Sequence, residues 1–453
     1  MPQAEFFDLL VVGAGTGGCV AAKVGAEKGL SVGLVDRKPF GTIGEKVCGD
    51  GIGKHHFDLL GMSPPAGEEL ATNILGIDVY SPDQKTVFRV EGEGLQGFII
   101  NRRVFGQRLL KEALDRGAYL RDNLHVFAPI IEGGCVRGVK GRIPEREEAI
   151  EIRAKVTVDA SGCTAILRKS LPKELGMETD IQSSDVIVCY REIREIQGAI
   201  ERPEFCRIFL SQKAAPGGYY WIFPKSPNVV NVGLGVQMKE GFENPRDLLY
   251  SKVLTKDLFK GSTLIHGGGG IVPTRRPIST LVSSGFMVVG DSACQVNPIH
   301  GGGIGPSMVA GKLAAEAAAD AITKGSTNAE DLWQYNLRYM ETYGARQAQL
   351  EIFRIFLQKL DDSDIDFGMS QRIISEADLL RLSHAGELRL SIPEKSRRLA
   401  AGIRKLSLLR RLRYTQRRMR EVRALYMNYP SREDLITWAS AVEDIVRGVA
   451  LKV

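Results

Sequence analysis

The sequence predicts an α/β protein, α+β overall: a Rossmann-like nucleotide domain interrupted by an antiparallel-sheet domain and followed by a helical C-terminal region. Three observations carry this. The chain opens with an apolar run, a glycine-rich turn and a helix (Leu9 to Val12, then Gly13, Ala14, Gly15, Thr16, Gly17 and Gly18). Its centre holds short alternating stretches such as 186–193 and 229–236. From Ala345 onward the pattern is helical. The expected division is 1–74, 101–180 and 266–344 for a discontinuous nucleotide domain, 75–100 and 181–265 for the antiparallel sheet, and 345–453 for a basic helical domain.

Taken in order, Leu9 to Val12 reads as a buried parallel strand. Gly13 and Gly15 allow a tight turn whose backbone approaches a pyrophosphate, and Gly18 lets the next helix pack close to the strand. The N-terminus of that helix offers unpaired N–H groups to phosphates. A second strand at 30–35 ends at Asp36, placed to accept from ribose hydroxyls. At this point FAD and NAD are equally open. Residues 101–127 read as a βαβ return, with a helix through Arg116 and a strand near Val126. The run 154–162 is an apolar strand ending in Asp159, Ala160, Ser161 and Gly162, with Arg168 shortly after. A buried strand at 285–289 delivers Asp291 to the carboxyl edge of a parallel sheet, where ligands bind. Gly301, Gly302 and Gly303 then let the backbone lie against a flat ring. Ile304 and an alanine-rich helix at 306–322 follow, with N–H groups suited to the partial negative charge of a reduced flavin.

The alternating stretches are expected to form one antiparallel sheet that carries the substrate. Period-2 alternation puts Tyr219, Trp221 and Phe223 on one face of a strand ending at Pro224. Gly217, Gly218, Gly233 and Gly235 crowd the same place. The result is a broad apolar wall able to flank a long hydrocarbon, whose burial is worth about 0.8 kcal/mol per methylene.

Composition narrows the surroundings. The formal net charge is +6, but residues 395–423 hold twelve Lys or Arg against the single acid Glu421, so this segment carries +11 and the rest −5. Leu399, Ile403, Leu406, Leu409, Leu412, Met419 and Val422 thread it at helical spacing, which suits a helix packed on the body or one meeting an anionic membrane surface. No aromatic stacking platform accompanies the charge, so nucleic acid is not expected. The absence of a membrane-length apolar run or a basic-then-apolar leader points to a cytoplasmic protein with peripheral membrane association. Seven scattered cysteines without a CxxC pair, and six histidines without ligand spacing, predict no metal site.

The three nucleotide segments together resemble the flavoproteins of the p-hydroxybenzoate hydroxylase superfamily over residues 6–330, and this resemblance implies FAD. Two further motifs narrow it. Tyr219, Tyr220, Trp221, Ile222, Phe223 and Pro224, followed by Gly233, Leu234 and Gly235, look like the YxWxFP…GxG motif of geranylgeranyl reductases. Lys46, Val47, Cys48, Gly49, Asp50 and Gly51 resemble the KxCG loop of the same enzymes. The chain is thereby identified as a member of the geranylgeranyl reductase family, of the archaeal digeranylgeranylglycerophospholipid reductase type. The resemblance implies saturation of isolated C=C bonds in geranylgeranyl chains of archaeal membrane phospholipid precursors. Hydride would come from N5 of reduced FAD, with a proton delivered alongside and electrons from ferredoxin or NAD(P)H. It also places Gly13, Ala14, Gly15, Thr16, Gly18, Asp36, Arg37, Cys48, Gly49, Asp50, Gly51, Arg103, Phe127, Gly162, Asp291, Gly302, Gly303 and Ile304 at the cofactor.

Cys48, Tyr219 and Trp221 are the candidate catalytic residues. Cys48 is a candidate proton donor, although thiols are weak acids and a packing role against the ring competes with it. The aromatic faces suit a transient positive charge. Tyr219, Trp221, Phe223, Pro224, Gly233 and Gly235 line the expected substrate site, and His55, beside His56 and Lys54, is placed to meet a lipid phosphate. A flavin monooxygenase and a carotenoid-cyclase-like enzyme without net redox change are the competing readings on the same fold.

Overall fold

The computed structural model describes residues 5–92, 94–144, 149–385 and 403–453. Its first layer is a sheet whose parallel core runs in the order Phe286–Val288, Ile150–Asp159, Glu5–Val12, Val32–Val35 and Tyr119–Arg121. Leu9, Leu10 and Val11 are fully buried, as a near-continuous apolar strand must be. The first helix, Thr16–Glu27, crosses the alanine-rich helix Ile304–Thr323 closely. A methyl on Gly311 would stand 2.1 Å from the Gly17 carbonyl, so glycine at the crossing sets that distance.

The strand that closes the βαβ return is Tyr119–Arg121, after the helix Arg102–Asp115. Val126, where that strand was expected, lies in His125–Glu132, one arm of an antiparallel hairpin with Cys135–Arg142. Three residues with exposed ends are too short to show a period, which is why the pairing strand escaped notice.

The second layer is a seven-stranded sheet in the order Thr263–Pro273, Val186–Glu195, Val229–Gln237, Tyr219–Pro224, Phe205–Phe209, Gly76–Tyr80 and Val87–Glu91. It is antiparallel except where Phe205–Phe209 meets Gly76–Tyr80. Its edge strand runs to Pro273, past the boundary expected at 265. Gly97–Ile100, expected here, instead pairs with Gly51–Gly53 and Leu70–Ile74 in a small third sheet. One apolar face of the large sheet is filled by Tyr220, Ile222, Val230, Val232, Leu234 and Val236.

The C-terminal helices share the apolar core of the nucleotide layer. In Ile403–Met427 the stripe Leu408, Leu412, Thr415, Met419, Val422 and Tyr426 is buried, and the helix packs on Ala345–Leu357. Leu406, expected on the apolar face, is exposed. Arg410, Arg413, Arg417 and Arg420 face solvent. The start of the basic segment, with Lys395 and Leu399, lies outside the described residues. Among the described residues no helix is long and apolar enough to cross a membrane.

Candidate active site

The site begins at the glycine turn. Gly13 adopts φ of +110°, and a methyl there would stand 2.4 Å from the Ala160 carbonyl; on Gly18 it would stand 1.8 Å from the Gly13 carbonyl. No side chain fits either place. Gly15, by contrast, faces open space. Asp36 accepts from the Ala14 N–H at 2.7 Å and the Lys38 N–H at 2.8 Å, which pins the turn to the end of the second strand. Thr16 joins the two crossing helices through a 2.9 Å contact with the Ser307 hydroxyl. Arg37 and Phe127 are exposed near the same sheet edge, where Leu124 N–H donates to the Asp36 carbonyl.

Asp159 is consumed locally. Its carboxylate accepts from Ser161, from the Leu167 and Arg168 N–H groups and from the Ser292 hydroxyl, which shapes the turn that leaves Gly162 at φ +75°. Arg168 is 1% exposed and donates to the Ser292 carbonyl at 2.7 Å and the Thr179 carbonyl at 2.9 Å. It is a strut beneath the Asp291 turn.

Asp291 receives Lys46 Nζ at 2.8 Å, and this carboxylate holds the Lys46 ammonium above its usual value. A methyl on Gly303 would stand 3.2 Å from Asp291 Oδ1. Gly302 donates its N–H to His300 Nδ1 at 3.1 Å, and Ile304 opens the long helix. The cradle therefore has bare backbone on two sides. It also has an uncommitted cation: the Nε and Nη1 atoms of Arg102 are buried without a hydrogen-bond partner, within the field of Lys46. Arg103, the expected arginine, points toward Glu45 at 3.6 Å with 60% of its side chain exposed. Position on the first turn decides this, since adjacent helical residues point about 100° apart.

The large sheet meets this cradle through its aromatic strand. Tyr219, Trp221 and Phe223 share one face, with ring centroids 5.9 and 6.1 Å apart, while Tyr220 and Ile222 enter the sheet's own core. Pro224 is buried and pairs with Val230. A methyl on Gly233 would stand 2.5 Å from the Trp221 ring, and one on Gly235 would stand 2.6 Å from Ile187. The 46–51 loop lies against this face: a methyl on Gly49 would stand 3.1 Å from the Phe223 ring and 3.9 Å from Trp221 Nε1. Gly51 begins the small sheet, pairing with Ile99.

Polar groups with no motif of their own hold loop and wall together. Asn231 accepts from Trp221 Nε1 at 3.0 Å and donates to the Cys48 carbonyl at 2.8 Å and to Asp50 at 3.2 Å. Lys225 donates to Asp50 at 2.9 Å, and Arg191 Nε to the Cys48 carbonyl at 3.2 Å. Asp50 itself sits at φ +66°, so these bonds stabilise a backbone conformation an aspartate seldom adopts. The Cys189 thiol, pushed up to about 12 by burial, lies near Cys48. Tyr219 donates its hydroxyl to the His300 carbonyl at 2.8 Å, and burial holds that hydroxyl far above its usual value. His55 lies 4.0 Å from His56, ring to ring. The structure thus brings Cys48, Gly49 and Asp50 together with Trp221 and Phe223.

The sequence profile of the geranylgeranyl reductase catalytic domain matches residues 185–272, the stretch that carries the wall and most of the large sheet. The digeranylgeranylglycerophospholipid reductase of Sulfolobus acidocaldarius is 43% identical over 444 residues, 97% of each chain. That of Methanothrix thermoacetophila is 32% identical over 388 residues, 85% of this chain and 95% of the relative. Among solved structures, a geranylgeranyl bacteriochlorophyll reductase-like protein from Thermoplasma acidophilum superposes with a TM-score of 0.77 at 24% identity, over 86% of this chain and 97% of its own. The myxobacterial chondrochloren halogenase, described as a variant of FAD-dependent halogenases, gives 0.65 at 20% identity over 95% and 99%; both likenesses concern the fold. With near-complete coverage at this identity, and with the aromatic wall inside the matched catalytic segment, the chain belongs to the digeranylgeranylglycerophospholipid reductase family.

Proposed function

We propose that this protein is an FAD-dependent reductase that saturates isolated C=C bonds of geranylgeranyl chains in archaeal membrane phospholipid precursors. The observation that carries this reading is the Tyr219–Trp221–Phe223 wall held against the Cys48 loop by Asn231. Gly13, Gly15 and the first helix N-terminus suit the pyrophosphate, with the uncommitted Arg102 atoms as a further phosphate donor. Asp36 suits the ribose, and the backbone at Gly302 and Gly303 suits the ring. FAD bound in this cradle supplies a hydride in its reduced form.

An isolated alkene is a poor hydride acceptor because no carbonyl stabilises the developing charge. It must gain a proton as the hydride arrives. The π faces of Trp221, Tyr219 and Phe223 favour positive charge on the reacting carbon, by about 2 kcal/mol where water is excluded. The Tyr219 hydroxyl is a poor donor, being pinned to the His300 carbonyl and raised by burial. Cys48 is the nearer candidate. Cys48→Ala is expected to slow single-turnover alkene reduction by about 10²-fold, the usual worth of a general acid, with FAD content intact. An unchanged rate would assign Cys48 to packing.

Electrons enter from ferredoxin or NAD(P)H, and the exposed arginines 410, 413, 417 and 420 suit docking on an anionic membrane surface. The test of the function is anaerobic incubation of dithionite-reduced protein with a digeranylgeranyl phospholipid, followed by mass spectrometry. Gain of two hydrogens per double bond is the expected result. No gain while the flavin stays reduced would sink the reductase reading, and gain of oxygen in a parallel aerobic incubation with NAD(P)H would favour the monooxygenase.

A further inference from the structure

Next to the wall lies a cluster of three imidazoles and one guanidinium that the hydride chemistry does not use. His55 and His56 open the short helix His55–Leu60, His300 precedes the alanine-rich helix, and Tyr343 and Arg346 come from the helical run at 340–357. His56 Nδ1 is 2.9 Å from the Tyr343 hydroxyl, and its ring packs onto Gly305, where a methyl would stand 2.1 Å away. His300 accepts the Gly302 N–H on Nδ1, so its neutral ring carries the proton on Nε2. Arg346 Nε is buried without a hydrogen-bond partner.

The charge in this cluster is one-sided. At His56 the field comes from His55, Arg346 and His300, all opposing a proton; at His300 it comes from Arg346 and His55. Burial is the largest cause in both cases, and it brings His300 down to about 4. His300 and His55 also keep accessible surface, so the cluster is open to a ligand. The positive end of the Ile304–Thr323 helix adds to the same potential. A buried guanidinium atom without a partner is costly, and an anion placed there relieves it. The imidazoles are not gathered as ligands on one point: among the described residues no group of three or more His, Cys, Asp or Glu is placed to hold a metal ion.

We propose that Arg346, His55, His56 and His300 form an anion site that takes the phosphate headgroup of the lipid whose chains lie along the Tyr219–Phe223 wall. The Tyr219 bond to the His300 carbonyl joins the two parts, so one molecule spans both. This rests on the reductase reading for its substrate. The groups facing the anion are the four named, with Tyr343 and Tyr219. An anion placed here favours the protonated imidazoles and so offsets the mutual repulsion within the cluster.

The test is equilibrium binding to the oxidised holoenzyme, without turnover, of digeranylgeranylglyceryl phosphate, of the same lipid as its phosphate-free alcohol, and of inorganic phosphate. The wild type is expected to prefer the phosphate lipid over the alcohol by about tenfold or more. Arg346→Gln should abolish that preference while alcohol binding and FAD content persist, and Arg346→Lys should restore part of it. His300→Gln carries the same test if the arginine variant does not fold. Equal affinity for lipid phosphate and alcohol, or a preference that survives Arg346→Gln, would overturn the proposal. So would inorganic phosphate binding as tightly as the lipid, which would mark a free-anion site. If headgroup preference stands but neither lipid gains hydrogen in the turnover assay, the reductase reading alone falls.

Discussion

Replacing Glu351 with alanine is expected to destabilise the chain by about 3–5 kcal/mol, read as a lower midpoint in urea unfolding. Glu351 is fully buried on Ala345–Leu357 and receives Arg276 Nη1 on both carboxylate oxygens at 2.9 Å. Arg276 follows the edge strand of the large sheet, and its Nη2 also reaches Glu443, on the last helix, at 2.6 Å. Arg354 lies 3.8 Å from Glu351 and 2.7 Å from Asp185. The alanine variant leaves two desolvated guanidinium groups short of their countercharge, at the point where the substrate sheet meets the C-terminal helices. Glu351→Gln keeps one acceptor and should cost less. The neighbouring Glu178 sets an acid limit. Burial raises its carboxyl, but Arg275 at 3.0 Å, Arg276 and the Ser279 N–H together hold it below its ordinary 4.5. A depressed carboxylate stabilises the fold above its unfolded value, and that stability is lost as pH falls through the folded value. Denaturation midpoints should therefore drop below pH 4.5 in the wild type and less steeply in Glu178→Gln.

Trp221→Ala is expected to lower kcat/KM for alkene reduction by about 10²-fold or more. The loss combines about 2 kcal/mol of cation–π stabilisation with a share of the apolar contact along the chain, at 1.4 kcal/mol per tenfold. A second effect is geometric. The Trp221 indole N–H satisfies Asn231 Oδ1, and Asn231 in turn holds the Cys48 carbonyl and Asp50. Without the indole, Asn231 is free to turn and the loop loses its register against the wall. Trp221→Phe separates the two contributions, since it retains a π face but no donor. It should keep most of the hydrocarbon affinity, measured on the oxidised enzyme, while losing part of kcat. A phenylalanine variant with wild-type kcat would show that the Asn231 bond has no bearing on the reacting geometry.

The nucleotide half was legible because its signals are local. Gly13 and Gly18 are glycines because backbone oxygens occupy the space a methyl would need, and such a demand leaves a mark within a few residues. The wall was legible for the same reason: alternation along one strand is enough to put Tyr219, Trp221 and Phe223 on one face. Arg102 and Arg103 show where local reading stops, since choosing between adjacent residues on a helix requires knowing its rotation against the sheet.

By itself the sequence determined the parallel strand with its glycine turn, the late Asp291 turn and glycine cluster, the aromatic face, and through its motifs the family. Tertiary structure alone decided which partners meet. Asn231 reaches Cys48, Lys46 reaches Asp291, and Tyr343 reaches His56 across long stretches of chain and between different layers. A single Asn, Lys or Arg carries no periodicity, and its bond exists only once packing has fixed the distance. Tertiary structure also assigned the basic helix its orientation, because the buried stripe from Leu408 to Tyr426 found its partner in Ala345–Leu357 and turned the arginines outward.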